Sequence, residues 1–213
     1  MRAVVFANGR LESNAAIRRA VRPDDLLVCA DGGTRNALAL GIRPHVVIGD
    51  ADSASPQLRR ELEETGTRYI EYPTRKDETD AEIALSYCID QGADSILFLG
   101  ALGGRLDHAL ANLVLLGSPE LGSIPIRVLD GDVAIELCRK RSDIEGSLGD
   151  IVTLLPWGGD VTGVVTEGLE YPLRDEALRF GLARGVSNVM TGTAASVSVN
   201  SGLLLVYHQS GSG

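Results

Sequence analysis

Up to about residue 117, short apolar runs at 3–6, 26–30, 45–48, 67–72 and 95–99 alternate with helix-spaced patterns near 13–21, 34–40, 56–65, 79–91 and 106–116. Ser13 can cap the first helix, Gly41 can end the second, and Thr79 with Glu82 makes a capping box for the fourth. Alternation of strand and helix predicts a mainly parallel sheet covered on both faces. After about residue 124 the helical spacing gives way to β-rich stretches at 126–129, 133–137, 151–155, 161–166, 195–199 and 203–207, punctuated by Gly, Pro and Asn. Asp130-Gly131-Asp132 is a hairpin signal. Only 173–183 has spacing compatible with a further helix. The expected fold is an α/β N-terminal domain, a mainly parallel sheet with flanking helices, followed by an all-β C-terminal sandwich. The Gly/Ser/Pro segment 117–125 is the expected connector, with the domains running 1–122 and 123–210.

Composition narrows the class. A hydrophobic fraction of 44% is ample for a buried core. The net charge of -9 argues against a nucleic-acid surface, which is normally basic. Cys29, Cys88 and Cys138 are odd in number, far apart and set among apolar neighbours, the pattern of buried thiols in a reducing compartment. No apolar stretch approaches the ~20 residues that span a bilayer, and the chain opens on a strand-like run rather than a signal-peptide core. The expectation is a cytoplasmic protein with no membrane partner.

Four polar clusters follow the predicted strands. Asp31-Gly32-Gly33 permits a tight turn and close backbone approach to a ligand. Gly49-Asp50-Ala51-Asp52-Ser53 places two carboxylates one residue apart, which suits a hard cation such as Mg²⁺ that takes carboxylate and phosphate oxygens. A calcium EF loop is a poor fit there, because Ala54 stands at a ligand position and Ser55 where the turn needs Gly. Lys76-Asp77-Glu78-Thr79-Asp80 puts Asp77 and Asp80 three apart at a helix start beside Arg75 and Lys76. Gly103-Gly104-Arg105-Leu106-Asp107-His108 adds a second close-approach loop, a guanidinium able to fork onto phosphate oxygens, and a further carboxylate. His108 shares a helix face with Asn112, and a structural hydrogen-bonding role for it stands beside proton transfer. Each cluster alone is also ordinary turn or helix-start chemistry. Four at successive strand ends, on the edge where open sheets bind ligands, point to a Mg²⁺–nucleotide site. Neither a Walker A run nor a G-x-G-x-x-G fingerprint is present.

The ordered set resembles the thiamine pyrophosphokinase (thiamine diphosphokinase) family. The motifs are Asp31-Gly32-Gly33, Gly49-Asp50-x-Asp52-Ser53, Lys76-Asp77-x-Thr79-Asp80 and Gly103-Gly104-Arg105-x-Asp107-His108. In the β-rich half Gly168-Leu169-x-Tyr171-Pro172-Leu173, Gly185-Val186-Ser187-Asn188 and Ser201-Gly202-Leu203-Leu204 continue it. The resemblance implies Mg²⁺-dependent transfer of the β,γ-diphosphate of ATP to the hydroxyl of thiamine, with AMP released. It also implies a homodimer with its sites at the subunit interface. By it, Asp50, Asp52, Asp77 and Asp80 gather Mg²⁺ and phosphates, and Asp31, Arg105 and Asp107 complete the phosphate pocket with the Gly32, Gly33, Gly103 and Gly104 loops, Lys76 and His108. By the same resemblance, Ser187 and Asn188 are expected to contact the thiamine pyrimidine. Ala51 stands where the family commonly has Phe, and Trp157 is the sole Trp, with an interface or plain surface role expected for it. Asp80 and Asp107 both remain candidates to activate the attacking hydroxyl. The alternatives are a diphosphotransferase for another alcohol and an inactive nucleotide- or thiamine-binding regulator.

Overall fold

The computed structural model describes residues 1–11, 15–50, 55–72 and 77–211, and the chain divides into two compact units, Met1–Gly131 and Asp132–Gly213. The first unit runs β1(Arg2–Phe6), α1(Ala15–Ala20), β2(Leu26–Ala30), α2(Gly33–Ala39), β3(Val46–Gly49), α3(Pro56–Glu64), β4(Arg68–Glu71), α4(Asp80–Asp90), β5(Ser95–Leu99), α5(Leu106–Leu115) and β6(Ile126–Asp130). Its strands lie in the order β4-β3-β2-β1-β5-β6, each paired in parallel with its neighbours. The two central strands are continuous apolar runs because both faces are covered. On one face Val4, Phe6, Cys29, Val47, Leu97 and Leu99 pack with Ile17 of α1 and Ala37 and Leu40 of α2 and its cap. Period-two alternation turns Val5, Val28, Ile48 and Phe98 the other way, and they too are buried.

Local signals fix the helix starts. The Ser55 hydroxyl accepts from Leu58 N at 3.2 Å, with Pro56 at the first helical position of α3. The Thr79 hydroxyl accepts from Glu82 N at 3.1 Å, as the capping-box spacing predicts. Gly41, at φ 74°, ends α2 with its N–H on Leu38 O. The expected cap at Ser13 lies outside the described residues.

The second unit is β7(Val133–Cys138), β8(Arg141–Glu145), β9(Ile151–Glu167), β10(Arg174–Leu178), β11(Asn188–Val189), β12(Ala194–Ser198) and β13(Ser201–Gln209), with antiparallel pairing throughout. The 17-residue β9 serves two ladders: its first half pairs with β13 and β11, its second half with β10 and β12. Both ladders feed one core of Cys138, Ile144, Val152, Leu154, Val161, Val164, Leu178, Met190, Val197 and Leu204.

Three departures from the sequence pattern have physical causes. The runs 151–155 and 161–166 are one strand, because Pro156-Trp157 stays in register opposite Leu204 and Leu203 instead of turning. The spacing at 173–183 is not helical. Asp175 sits at φ 59°, which an interior α-helix forbids, and Leu178 is buried against the core as part of β10. Strand β8 carries only Ile144 as an apolar residue and was invisible to an apolar-run reading; Ser142 and Ile144 alternate inward. Strand β6 pairs in parallel with β5 and belongs to the first unit. All three cysteines are buried thiols, and burial pushes Cys138 up to about 11 and Cys88 up to about 12. Among the described residues no helix is long and apolar enough to cross a membrane.

Candidate active site

Chain order along the first sheet reverses at β1. Successive strands β1 to β4 step outward on one side, and the chain then returns to place β5 against the other side of β1. At such a switch point the loops leaving adjacent strands diverge, opening a crevice at their carboxyl ends. A cleft of about 650 Å³ opens there. Its walls are Ala7-Asn8-Gly9 after β1, Ala30-Asp31 at the end of β2, and Gly100-Ala101 with Gly103-Gly104-Arg105 after β5. Glu78-Thr79-Asp80 at the start of α4 completes it, with His108 and Asn112 on α5 and Arg35 on α2.

Backbone-directed side chains hold these loops. Ala7 N donates to Leu99 O at 2.8 Å and Gly9 N to Gly100 O at 2.9 Å. Asn36 Nδ2 donates to both Ala7 O (2.8 Å) and Gly9 O (2.7 Å), and the buried Asn112 donates to Ala101 O at 2.8 Å. Close approach requires glycine at Gly33: a Cβ there would lie 1.9 Å from Phe6 O, a backbone atom that cannot step aside. Asp31 takes the left-handed conformation at φ 49°, which a non-glycine residue holds only where surrounding structure enforces it. Asn8 Nδ2 donates to its carboxylate at 3.3 Å, and Arg35 Nη2 donates to Asn8 Oδ1 at 3.1 Å.

Of the residues picked out from sequence, Asp31, Asp80, Gly103, Gly104, Arg105 and His108 line the cleft together. Arg105 grips Asp107, Nε–Oδ1 3.1 Å and Nη2–Oδ2 2.6 Å, and Asp107 also accepts from His108 N at 3.0 Å. The guanidinium bonds hold the Asp107 carboxyl below the usual carboxylate range. Gly32 and Gly33 form the turn behind the cleft at the start of α2. Asp50 follows β3 and is half-buried, and Asp77 is exposed just before α4. Among the described residues lining the cleft neither of these two is found. Asp52 and Lys76 lie outside the described residues. Among the described residues no three His, Cys, Asp or Glu side chains gather as a metal cage. The donor chemistry of Asp50, Asp77 and Asp80 is nonetheless all-oxygen, the kind a hard cation takes alongside substrate phosphates. Sequence reasoning passed over Asn8 and Arg35. The Asn8-Gly9 pair directly after β1 was the available signal, since it stands at a strand end like the other clusters.

In the second unit Ser187 is also left-handed, at φ 60°, and its N–H donates to Thr153 Oγ1 at 3.0 Å. Asn188 is buried, and its amide grips the Tyr171 backbone: Nδ2 donates to Tyr171 O at 2.7 Å, and Oδ1 accepts from Tyr171 N at 3.0 Å. A cavity of about 180 Å³ lies alongside, bounded by Tyr171, Leu173, Arg184, Val186 and Asn188. The Tyr171 side of it is solvent-facing, that residue being 65% exposed.

A parallel α/β unit with an acidic, glycine-walled crevice at its switch point, followed in the chain by an antiparallel β unit, has the build of a nucleotide-handling enzyme. Family profiles agree unit by unit: "Thiamin pyrophosphokinase, catalytic domain" matches residues 17–128, and "Thiamin pyrophosphokinase, vitamin B1 binding domain" matches residues 137–204. The thiamine pyrophosphokinase of Bacillus subtilis is 30% identical over 183 residues, covering 85% of this chain and 86% of that protein. Thiamine pyrophosphokinase 1 of Arabidopsis thaliana is 32% identical over 206 residues, covering 84% of this chain and 76% of that protein. The crystal structure of the Bacillus subtilis thiamine pyrophosphokinase superposes with a TM-score of 0.87 at 26% identity, covering 99% of each chain. The chain belongs to the thiamine pyrophosphokinase family.

Proposed function

We propose that this chain is a thiamine diphosphokinase, moving the β,γ-diphosphate of ATP onto the hydroxyl of thiamine and releasing AMP. The observation that carries this is the switch-point cleft, where Asp31, Asp80 and Arg105 meet between glycine loops in a chain of this family. Transfer of this kind demands positioning and charge neutralisation rather than a covalent enzyme intermediate. The thiamine oxygen attacks the β-phosphorus, the bond from that phosphorus to the α–β bridging oxygen breaks, and AMP leaves with the electron pair. The glycine loops let backbone approach the phosphates, and Arg105 stabilises charge as the bridging oxygen is released. Asp80, on the cleft wall, and Asp107, beside it on α5, are the two carboxylates placed to orient the attacking hydroxyl and accept its proton. Mg²⁺ would be held by Asp50, Asp52, Asp77 and Asp80, and when bound it neutralises phosphate charge.

Thiamine is assigned to the second unit on the strength of the vitamin B1 binding profile over residues 137–204. The sandwich reading of that unit is supported by two ladders sharing one core. The homodimer expected of the family is supported by α5, which leaves Leu106, Leu110 and Val114 exposed at four-residue spacing along one helix face. A cytoplasmic location is the companion proposal, supported by the three buried thiols.

The deciding experiment is product analysis with thiamine, ATP and Mg²⁺, run beside an Asp50→Asn/Asp80→Asn variant. Equal amounts of thiamine diphosphate and AMP, lost in the variant, establish the reaction. Thiamine binding without AMP release would replace it with the inactive regulator. Turnover on another alcohol in preference to thiamine would reassign the acceptor.

A further inference from the structure

Two arginines line the cleft, and their charges are balanced differently. Arg105 is paired with Asp107 through Nε and Nη2, which leaves its other N–H donors for the substrate. Arg35 instead donates to a neutral group, Asn8 Oδ1 at 3.1 Å, and among the described residues it has no carboxylate within ion-pair distance. The same amide donates through Nδ2 to Asp31 at 3.3 Å. Asn8 thus stands as an uncharged bridge between a cation and a carboxylate.

The bridge is built into the fold. Asn36 fixes the backbone on either side of it through Ala7 O and Gly9 O. Gly32 leaves the room it occupies, since a Cβ there would come within 2.3 Å of Asn8 Oδ1. The left-handed backbone of Asp31 turns that carboxylate to meet the amide. A guanidinium bonded to a neutral amide and exposed on the wall of a 650 Å³ cleft retains its charge and its remaining N–H donors for an anion.

We propose that Arg35 is a phosphate-binding residue of this cleft, directed at the polyphosphate chain of the nucleotide, and that Asn8 is its positioning residue. The inference rests on the nucleotide reading of the cleft but reaches further, to a cation outside the motifs that identify the family. Arg35 supplies forked donors to phosphate oxygens, and Asn8 sets where the fork points.

The test is calorimetric titration in the presence of Mg²⁺ of the full chain and of Arg35→Gln, Arg35→Lys and Asn8→Ala, with ATP and inorganic tripolyphosphate as probes. Arg35→Gln is expected to weaken both probes by roughly tenfold or more, the scale of a lost charge-assisted hydrogen bond. Arg35→Lys should restore part of the loss. Asn8→Ala should weaken both by a smaller factor and add little in the Arg35→Gln background, since the two act as one unit. Thiamine KM should stay within about twofold of the parent for all variants, which a general collapse of the fold would not allow. Unchanged affinity for both probes in Arg35→Gln overturns the proposal. So does a loss confined to ATP, which would place Arg35 on the nucleoside. If the parent binds tripolyphosphate but not ATP, and Arg35→Gln loses it, the phosphate role stands while the ATP reading falls. If the parent binds neither probe, both readings fall.

Discussion

The guanidinium of Arg105 closes on the carboxylate of Asp107 two residues along, with Nε and Nη2 each reaching one oxygen. The two side chains are 73% and 64% exposed, so water screens the pair and it adds little to folding. Its value is geometric: Asp107 fixes the plane of the fork at the mouth of the cleft. Arg105→Lys keeps the charge but cannot reproduce two parallel bonds. Its kcat should fall by roughly 10²-fold or more, while its Tm moves by less than about 2 °C. Steady-state kinetics beside differential scanning calorimetry checks this, and a matched fall in both would assign Arg105 to structure instead.

Asp31 carries backbone strain at the centre of the site. Asp31→Gly removes the left-handed penalty, at the expense of one long, exposed contact with Asn8. Stability should rise by up to about 1 kcal/mol while activity is lost. Urea unfolding read alongside turnover tests the trade, and a destabilised variant would show that the carboxylate holds the turn together.

Asp150 is the buried anchor of the second unit. It accepts from Ser147 N (2.9 Å) and Gly211 N (2.8 Å) and lies 2.9 Å from His208 Nε2. Burial would raise its carboxyl, but the Gly211, His208 and Ser147 contacts outweigh that and hold it below the usual range. A carboxyl depressed in the folded state contributes stability that is present above its unfolded pKa of about 3.9 and is lost as pH falls through the lower folded value. Asp150→Ala strands two N–H groups and an imidazole and should cost roughly 2–4 kcal/mol at pH 7. Asp150→Asn should cost less and flatten the stability profile below about pH 4. Urea unfolding from pH 7 to pH 3 measures both, and an equally steep acid limb in Asp150→Asn would move that dependence to other carboxyls.

Asn188 acts through the main chain of Tyr171. Asn188→Ala removes both bonds to that backbone and should lower stability by about 1–3 kcal/mol. It should also raise the KM for thiamine more than the KM for ATP. Kinetics at varied thiamine and varied ATP separates the two, and equal effects would detach Asn188 from the thiamine side.

Much of the α/β unit was legible in sequence. The expected strands at 26–30 and 95–99 match β2 and β5 residue for residue, because a strand covered on both faces is apolar along almost its whole length. Thr79 announced α4 for a purely local reason, its own hydroxyl capping the turn it begins. The second unit was less legible where pairing overrode local pattern. Pro156 and Trp157 interrupt the apolar run, yet pairing with Leu204 and Leu203 of β13 keeps them in the strand. Arg174–Leu178 had helical spacing, yet pairing with β9 and burial of Leu178 made it a strand.

The sequence by itself determined which residue types could do phosphate chemistry and that they would fall at strand ends, because composition and hydrophobic period are local properties. It also determined the family, through four motifs in a fixed order. The tertiary structure alone decided the strand order, and with it that Asn8, Asp31 and Arg105, far apart in sequence, share one crevice. That order depends on which strands pair, and parallel pairing is set by long-range packing of helices on both faces rather than by any run of residues. The same long-range geometry placed the Asn8 amide between Arg35 and Asp31, a relationship carried by no spacing in the chain.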